Sequence, residues 1–279
     1  MDKIATIADM RLEARRNLPR PVFDYLDGAG FNEITLRANT EDFDKVRFRP
    51  RGLRDVSDRK ISTTLLGQSA TIPAAIAPIG LGGVAWGGGG ELQAAKAAKA
   101  FGIPFTLGML SVATLEDVCD EVGPVWFQFC MLKDRGLLKD LLARAQGYEC
   151  PVLVMTITWA ASGLQSRMVR NGVDLTLKMT PRTLWDFAVK PTWVARTLMG
   201  KKAGFNNFEG AMNDPSDLEF IGEQLDGSTT WKDLEWIRSI WPGKILIKGV
   251  CGTEDARIAV ESGVDAVSVS NHGGNQLDG

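Results

Sequence analysis

The stretch KILIKGVCGTEDARIAVESGVDAVSVSNHGG, residues 244–274, decides the fold. It holds two short apolar runs, ILIKGV (245–250) and AVSVSN (266–271), joined by TEDARIAVESG, an amphipathic helical segment that closes at a glycine. A run apolar at successive positions is buried on both faces, and strand–helix–strand is the connection that parallel strands require. The same rhythm extends towards the N-terminus through PAAIAPIG (73–80), PFTLGM (104–109), VWFQF (125–129) and VLVMTI (152–157). Between these runs lie the helical segments ELQAAKAAKAFG, TLEDVCDEVG and KDRGLLKDLLARAQG, several with a capping residue ahead and glycine behind.

Two parallel architectures can carry this pattern. A doubly wound sheet usually shows GxGxxG after its first strand and an acidic residue after the second. Here GLGGVAWGGGGE (80–91) follows the first run and lacks that spacing. A barrel instead sets its polar and reactive residues at the C-terminal ends of many strands. Gln128, Thr156, Lys248 and the run Ser270-Asn271-His272 all fall at such ends. The sequence therefore predicts an α/β fold of the (β/α)8 TIM-barrel type. Six strands are legible, and closure at eight needs two more βα units, so the expectation is a barrel truncated after its sixth strand. Residues 1–279 are read as one domain.

The flanking segments carry their own signals. IADMRLEARRNLP, PVFDYLDG and NEITLRANTEDFDKV predict three helices in a cap over residues 1–60, the third with Asn32 as its N-cap. Residues 159–230 separate strands four and five by far more than an ordinary βα connection, and such excursions tend to be functional. Within them, TPRTLWDFAVKPTWVARTLMGKK (180–202) has five basic residues, one acidic residue and the aromatics Trp185, Phe187 and Trp193. That composition suits a helical lid, or a patch for a membrane surface or a partner.

Bulk properties bound the function. The formal charge of −2 gives no polyanion-binding surplus, so no nucleic-acid partner is expected. Four scattered cysteines form no CxxC pair, which predicts reduced thiols and no metal site. The first twenty residues lack the apolar core of a signal peptide, and no run reaches the ~20 apolar residues of a membrane span. The expected location is cytoplasmic, with peripheral membrane contact left open through residues 181–205. His272 is the only histidine. An imidazole titrates near neutrality and can take and return a proton, which marks it as the candidate base.

Several separate motifs, in order along nearly the whole chain, resemble the FMN-dependent L-2-hydroxy-acid oxidases and dehydrogenases. They are FDYLDGAG (23–30), FRPRGLRDVS (48–57), STTLLGQ (62–68), APIG (77–80), GGELQAAKAA (89–98), WFQF (126–129), LIKGV (246–250) and SNHGGNQLDG (270–279). The resemblance implies a (β/α)8 barrel, FMN as cofactor, a small 2-hydroxy-acid substrate oxidised to the 2-oxo acid, and a homo-oligomer. The electron acceptor stays open among oxygen, a quinone and a protein. The resemblance makes His272 the base. It sets Lys248 beside the flavin N1 and C2 carbonyl, where negative charge develops on reduction. Gln128 and Thr156 would bond the ring edge, Ser270 the flavin or its ribityl chain, and the backbone of Pro78, Ile79 and Gly80 would pack on the ring. Gly108 stands where relatives carry serine, near N5. Tyr25 would reach the substrate carboxylate. The phosphate of FMN would lie on loops after strands seven and eight, so residues 1–279 alone are expected to hold it weakly.

On the substrate side the sequence departs from that pattern. Asn275 replaces an arginine three residues after the histidine. Gln165 replaces a second arginine, with Arg167 two residues on. Cys130 replaces a tyrosine, and Thr158 an aspartate that supports the histidine. Arginine grips a carboxylate through two parallel charged bonds, and losing one such bond costs about 1.5–3 kcal/mol. The reading is a kept flavin face and an altered substrate face, in a divergent oxidoreductase whose substrate is larger than lactate, glycolate or mandelate or less dependent on a carboxylate clamp. The alternative is a flavin-binding homologue with little or no catalysis, or an inactive fragment.

Overall fold

The computed structural model describes residues 4–158, 163–171, 180–212 and 218–279. Three helices lead the chain: α1 (Ile7–Asn17), α2 (Arg20–Asp27) and α3 (Ile34–Asp44). A two-stranded antiparallel hairpin follows, β1 (Thr63–Leu65) and β2 (Gln68–Ala70). Then come α4 (Gly90–Phe101), β3 (Thr106–Gly108), α5 (Leu115–Val122), β4 (Trp126–Phe129), α6 (Arg135–Gly147) and β5 (Val152–Thr156). After β5 lie α7 (Ser166–Arg170), α8 (Pro181–Ala188), α9 (Pro191–Met199) and α10 (Leu218–Gln224). The chain returns through α11 (Trp231–Ile240), β6 (Lys244–Val250), α12 (Thr253–Glu261) and β7 (Ala266–Val269). Strands β3 to β7 form one parallel sheet in sequential order.

The helix limits follow local chemistry. Thr114 and Asp117 form a reciprocal capping box at the start of α5, and the Asp134 carboxylate accepts from the Leu137 amide at the start of α6. Gly102, at φ 81°, ends α4 in a left-handed conformation that costs glycine nothing. The expected Asn32 cap is not found. Glu33 occupies the cap position of α3 at φ 59° with no side-chain cap bond, and the helix is capped from elsewhere.

Side chains alternate across a strand, and the burial follows that parity. Phe127, Phe129, Leu153, Met155, Ile245 and Ile247 pack outwards with Leu138, Leu141, Leu142, Leu234 and Ile237 of the surrounding helices. Each such side chain contributes roughly 1.5–3 kcal/mol of transfer free energy. Trp126, Val152, Val154 and Leu246 take the opposite parity and pack under Leu65 and Leu66 of the hairpin. By the same parity Gln128, Thr156 and Lys248 continue that inner face towards the C-terminal end of the sheet.

The 73–80 run does not become a full strand. It makes a single parallel bridge, Ile76 to Phe105, with the Ile76 amide on the Pro104 carbonyl and the Thr106 amide on the Ile76 carbonyl. Pro73 and Pro78 flank it and have no amide proton for a ladder. The run still lies in first-strand position beside β3. At the far edge, Val269 of β7 is 81% exposed. The architecture is therefore an α/β barrel that stays open between the 73–80 run and β7. The hairpin β1–β2 had no clear signal in the sequence, because its turn uses Leu66 at φ 48° beside Gly67 rather than Asn-Gly.

Candidate active site

The inner parity of β4, β5 and β6 builds one wall. Gln128 pairs in register with Gly108 on one side and Val154 on the other, and Thr156 pairs with Lys248. The Gln128 amide Nε2 donates to Thr156 Oγ1 at 2.9 Å and to Cys130 Sγ at 3.4 Å. Burial pushes the Cys130 thiol up to about 12, so it is a neutral group on this wall. A Cβ added at Gly108 would sit 3.2 Å from Gln128 Oε1 and 3.6 Å from the Ile79 carbonyl oxygen. The absent side chain thus leaves a shallow cradle between the Gln128 amide and the Pro78-Ile79-Gly80 backbone. Burial lowers the pKa of Lys248, which faces no carboxylate in this row.

His272 follows β7 and opens a 3-10 turn (His272–Gly274). Its imidazole Nδ1 lies 2.7 Å from Thr158 Oγ1, and its amide donates to Ser270 Oγ at 3.1 Å. Burial, reinforced by the nearby Lys248 ammonium, holds the imidazole down to about 4. It is neutral at physiological pH, the protonation state a base needs. The backbone makes this contact possible. A Cβ at Gly249, in the bulge of β6 at φ 115°, would fall 2.3 Å from Thr158 Cγ2, so only glycine lets Thr158 approach.

The remaining expected residues come from the cap and loops. The Tyr25 hydroxyl, on α2, donates to the Gly80 carbonyl at 3.0 Å, and burial with the nearby Glu91 raises its pKa to about 12. Gln165 Nε2 donates to Asn275 Oδ1 at 3.3 Å, and Asn275 Nδ2 donates to the His272 carbonyl at 3.0 Å. Arg167 is brought elsewhere. Its guanidinium meets Asp27 Oδ2 at 2.8 Å and Glu33 Oε1 at 2.6 Å, which places it in the acidic cluster between α2 and α3. Cys130 is 4% exposed and touches Gln128, so it belongs with the strand wall. A cavity of about 50 Å³ opens beside this wall, lined by Cys130, Thr156, Ile157, Asp226 and Thr229 among others.

Sequence reasoning missed several polar anchors. Glu91, 6% exposed, accepts from the Val112 and Ala113 amides. Asn207, 2% exposed, accepts from the Leu115 amide and donates to Met109 and Ala113 carbonyls and to Ser111 Oγ. Asn206 donates to the Val112 carbonyl. Asn206 and Asn207 tie the 206–208 turn, and Glu91 ties α4, to the loop after β3. The Asn-Asn doublet between Phe205 and Phe208 is a visible signal for buried amides, but it does not say what they hold. Among the described residues no group of three or more His, Cys, Asp or Glu side chains is placed to hold a metal ion. No described helix is long and apolar enough to cross a membrane.

The inner-face row gathers a buried amide at Gln128, a hydroxyl at Thr156 and a desolvated cation at Lys248, with the Ser270 hydroxyl bonded to the His272 amide at the end of the neighbouring strand. Residues 14–279 match the family described as FMN-dependent dehydrogenase. Among solved structures, the monotopic membrane protein (S)-mandelate dehydrogenase is 31% identical, with a TM-score of 0.94 over 99% of this chain and 74% of that one. A soluble mutant of the membrane-associated (S)-mandelate dehydrogenase from Pseudomonas putida is 31% identical, with a TM-score of 0.82 over 99% and 72%. A mandelate oxidase is 30% identical, with a TM-score of 0.80 over 99% and 71%.

Proposed function

The chain belongs to the FMN-dependent dehydrogenase family, whose cofactor is FMN, and from that premise we propose that it oxidises a mandelate-like 2-hydroxy acid with His272 as base. The observation that carries the proposal is the neutral, Thr158-bonded imidazole beside the Gln128–Thr156–Lys248 row. When bound, FMN supplies a two-electron acceptor. Gln128, Thr156, Lys248 and Ser270 would hold it, with the backbone of Pro78, Ile79 and Gly80 and the open space at Gly108 along the ring. Lys248 would supply a fixed cation for negative charge on the reduced cofactor. In the tautomer with Nδ1–H donating to Thr158 Oγ1, Nε2 keeps its lone pair and takes the substrate proton. Thr158 orients that ring but cannot neutralise the imidazolium, so the proton taken up is held weakly. The 279 residues act in this reading as one FMN-binding domain, with the 1–60 segment as cap and the 159–230 insertion, of which 163–171, 180–212 and 218–230 are described, as lid.

Anaerobic mixing of the FMN-loaded protein with (S)-mandelate, L-lactate and glycolate tests this. Bleaching of the flavin by mandelate, absent in His272→Ala, is the expected result. Failure of every 2-hydroxy acid to bleach it would support the non-catalytic flavin binder instead. Undiminished bleaching in His272→Ala would remove the histidine from the chemistry.

Membrane contact is a second part of the reading, favoured by α8 and α9. Trp185 is 68% exposed and Leu198 and Met199 are each 81% exposed, among the basic residues Arg182, Lys190 and Lys202. A basic, aromatic-bearing surface with exposed aliphatics suits an anionic bilayer face. Co-sedimentation with phosphatidylglycerol vesicles, abolished by Leu198→Ser with Met199→Ser, is the expected result. Equal recovery of both proteins in the supernatant would reject it.

A further inference from the structure

The N-terminus of α3 lacks a local side-chain cap, yet its amides are not left open. Asp278 supplies the cap from 243 residues downstream, with Oδ1 accepting from the Thr35 amide at 2.8 Å and Oδ2 from the Asn32 amide at 3.0 Å. The Gly279 amide returns a bond to Thr35 Oγ1 at 3.1 Å. This is the reciprocal pattern of a capping box, assembled across the molecule. The Thr35 and Asn32 bonds, in that order, also lower the Asp278 carboxyl below its ordinary range, as ionised acceptors of amide bonds are.

The carboxylate is not an isolated stitch. The Asn271 and Asn39 side-chain amides bond each other in both directions, at 2.6 and 3.1 Å. The Gly30 amide donates to the Gly274 carbonyl at 2.9 Å. A Cβ at Gly274 would lie 3.0 Å from the Leu36 amide nitrogen, so the 3-10 turn rests directly on α3. Positions 271, 274 and 278 of one loop are thus tied to one helix and its lead-in. Between them sits His272 at φ 56°, a left-handed conformation unfavourable for a residue with a Cβ. Such a conformation persists only where its surroundings over-determine it.

We propose that Asp278 is a positioning residue for His272: by capping α3 it fixes the loop that holds the imidazole against Thr158. The proposal rests on the reading of His272 as the base, but its first readout does not. Because His272 is the only histidine, its ring gives a single imidazole signal by NMR. In Asp278→Ala that signal is expected to shift and broaden, and the amides of Asn32 and Thr35 to lose hydrogen-exchange protection. Turnover by the FMN-loaded protein should fall on the order of tenfold in kcat with KM within twofold, as misplacement of a base does. Asp278→Asn, whose Oδ1 still accepts one amide bond, should recover most of the loss. An unshifted histidine signal in Asp278→Ala would overturn the proposal, as would no better recovery in Asp278→Asn than in Asp278→Ala. A shifted signal in a protein that no 2-hydroxy acid reduces would leave the positioning intact and reject the activity. If Asp278→Ala fails to fold, Asn39→Ala cuts the neighbouring stitch, and the same NMR shift is expected there in smaller amount.

Discussion

The two halves of the proposed site, one assigned to the flavin and one to the substrate, are built from different material. The flavin-side half stands on strands: Gly108, Gln128, Thr156 and Lys248 are set by sheet register, and parity alone aims three of them inwards. The substrate-side half stands on the cap and two loops, with Tyr25, Gln165 and Asn275 placed by side-chain hydrogen bonds instead of sheet register. A register slip on a strand would invert every side chain, so register is strongly fixed. A loop carries no such constraint and accepts replacement. Arginine-to-amide exchange at Asn275 and Gln165 falls in the half where exchange is cheap. In the proposed site, then, cofactor recognition and substrate choice are expected to be separable.

His272 joins the halves, and its removal should have the largest effect. His272→Ala is expected to lower the rate of flavin reduction on the order of 10³-fold, while FMN affinity changes little. Stopped-flow reduction and a flavin titration measure the two quantities. A parallel loss of FMN would mean that His272 belongs to the strand-borne half.

Lys248→Met comes next, with a loss on the order of a hundredfold in reduction rate and weaker FMN. It also tests the pH behaviour. The folded imidazole sits at about 4, held down first by burial and then by Lys248. The neutral form is therefore favoured by folding, so its stabilisation is fully present above the unfolded value of about 6.5 and is lost as pH falls towards 4. The acid limb of kcat/KM should lie well below 6.5 in the parent protein. In Lys248→Met it should move up, but short of 6.5, because burial remains. An unmoved limb would show that the two groups do not interact.

How much of this could be read beforehand follows the same division. The parallel barrel, the helices and the row Gln128, Thr156, Lys248 were legible because periodicity and strand ends are local properties. The 73–80 run was legible in position but not in extent, since Pro73 and Pro78 restrict its ladder to Ile76. The partner of His272 was legible as Thr158 from the motif, and the structure sets it 2.7 Å away. Asp278 as the cap of α3 was not legible, because a bond spanning 243 residues leaves no mark in spacing. Asn32 looked like the cap on local grounds. It instead donates its own amide to Asp278, while Glu33 takes the cap position.

The substrate-side half should respond to restoring charge. Asn275→Arg is expected to tighten a 2-hydroxy acid roughly tenfold over its methyl ester, as one charged hydrogen bond supplies about 1.5–3 kcal/mol before reorganisation. The ratio of kcat/KM for (S)-mandelate and methyl mandelate measures it. An unchanged ratio would show that position 275 does not face the carboxyl group, and would sharpen the comparison by removing that residue from substrate choice.

Arg167 gives the smallest effect on activity and the cleanest separation. It lies on the short helix α7 in the substrate-side half, but its guanidinium is engaged by Asp27 and Glu33, with side-chain exposures of 25%, 11% and 18%. Arg167→Gln leaves Glu33 without its guanidinium and Asp27 with Arg11 alone, and a part-buried carboxylate that loses its partner is destabilising. A loss of about 1–2 kcal/mol would lower Tm by a few degrees in a chain of this size. The KM for a 2-hydroxy acid should stay within twofold, because the cation that is lost was already neutralised by the cap. If KM instead rises tenfold with Tm unchanged, Arg167 leaves its carboxylates to meet the substrate. The loop-borne half would then hold a mobile cation clamp in place of the neutral amide pair, and the separation between the two halves would lie in conformation rather than in residue identity.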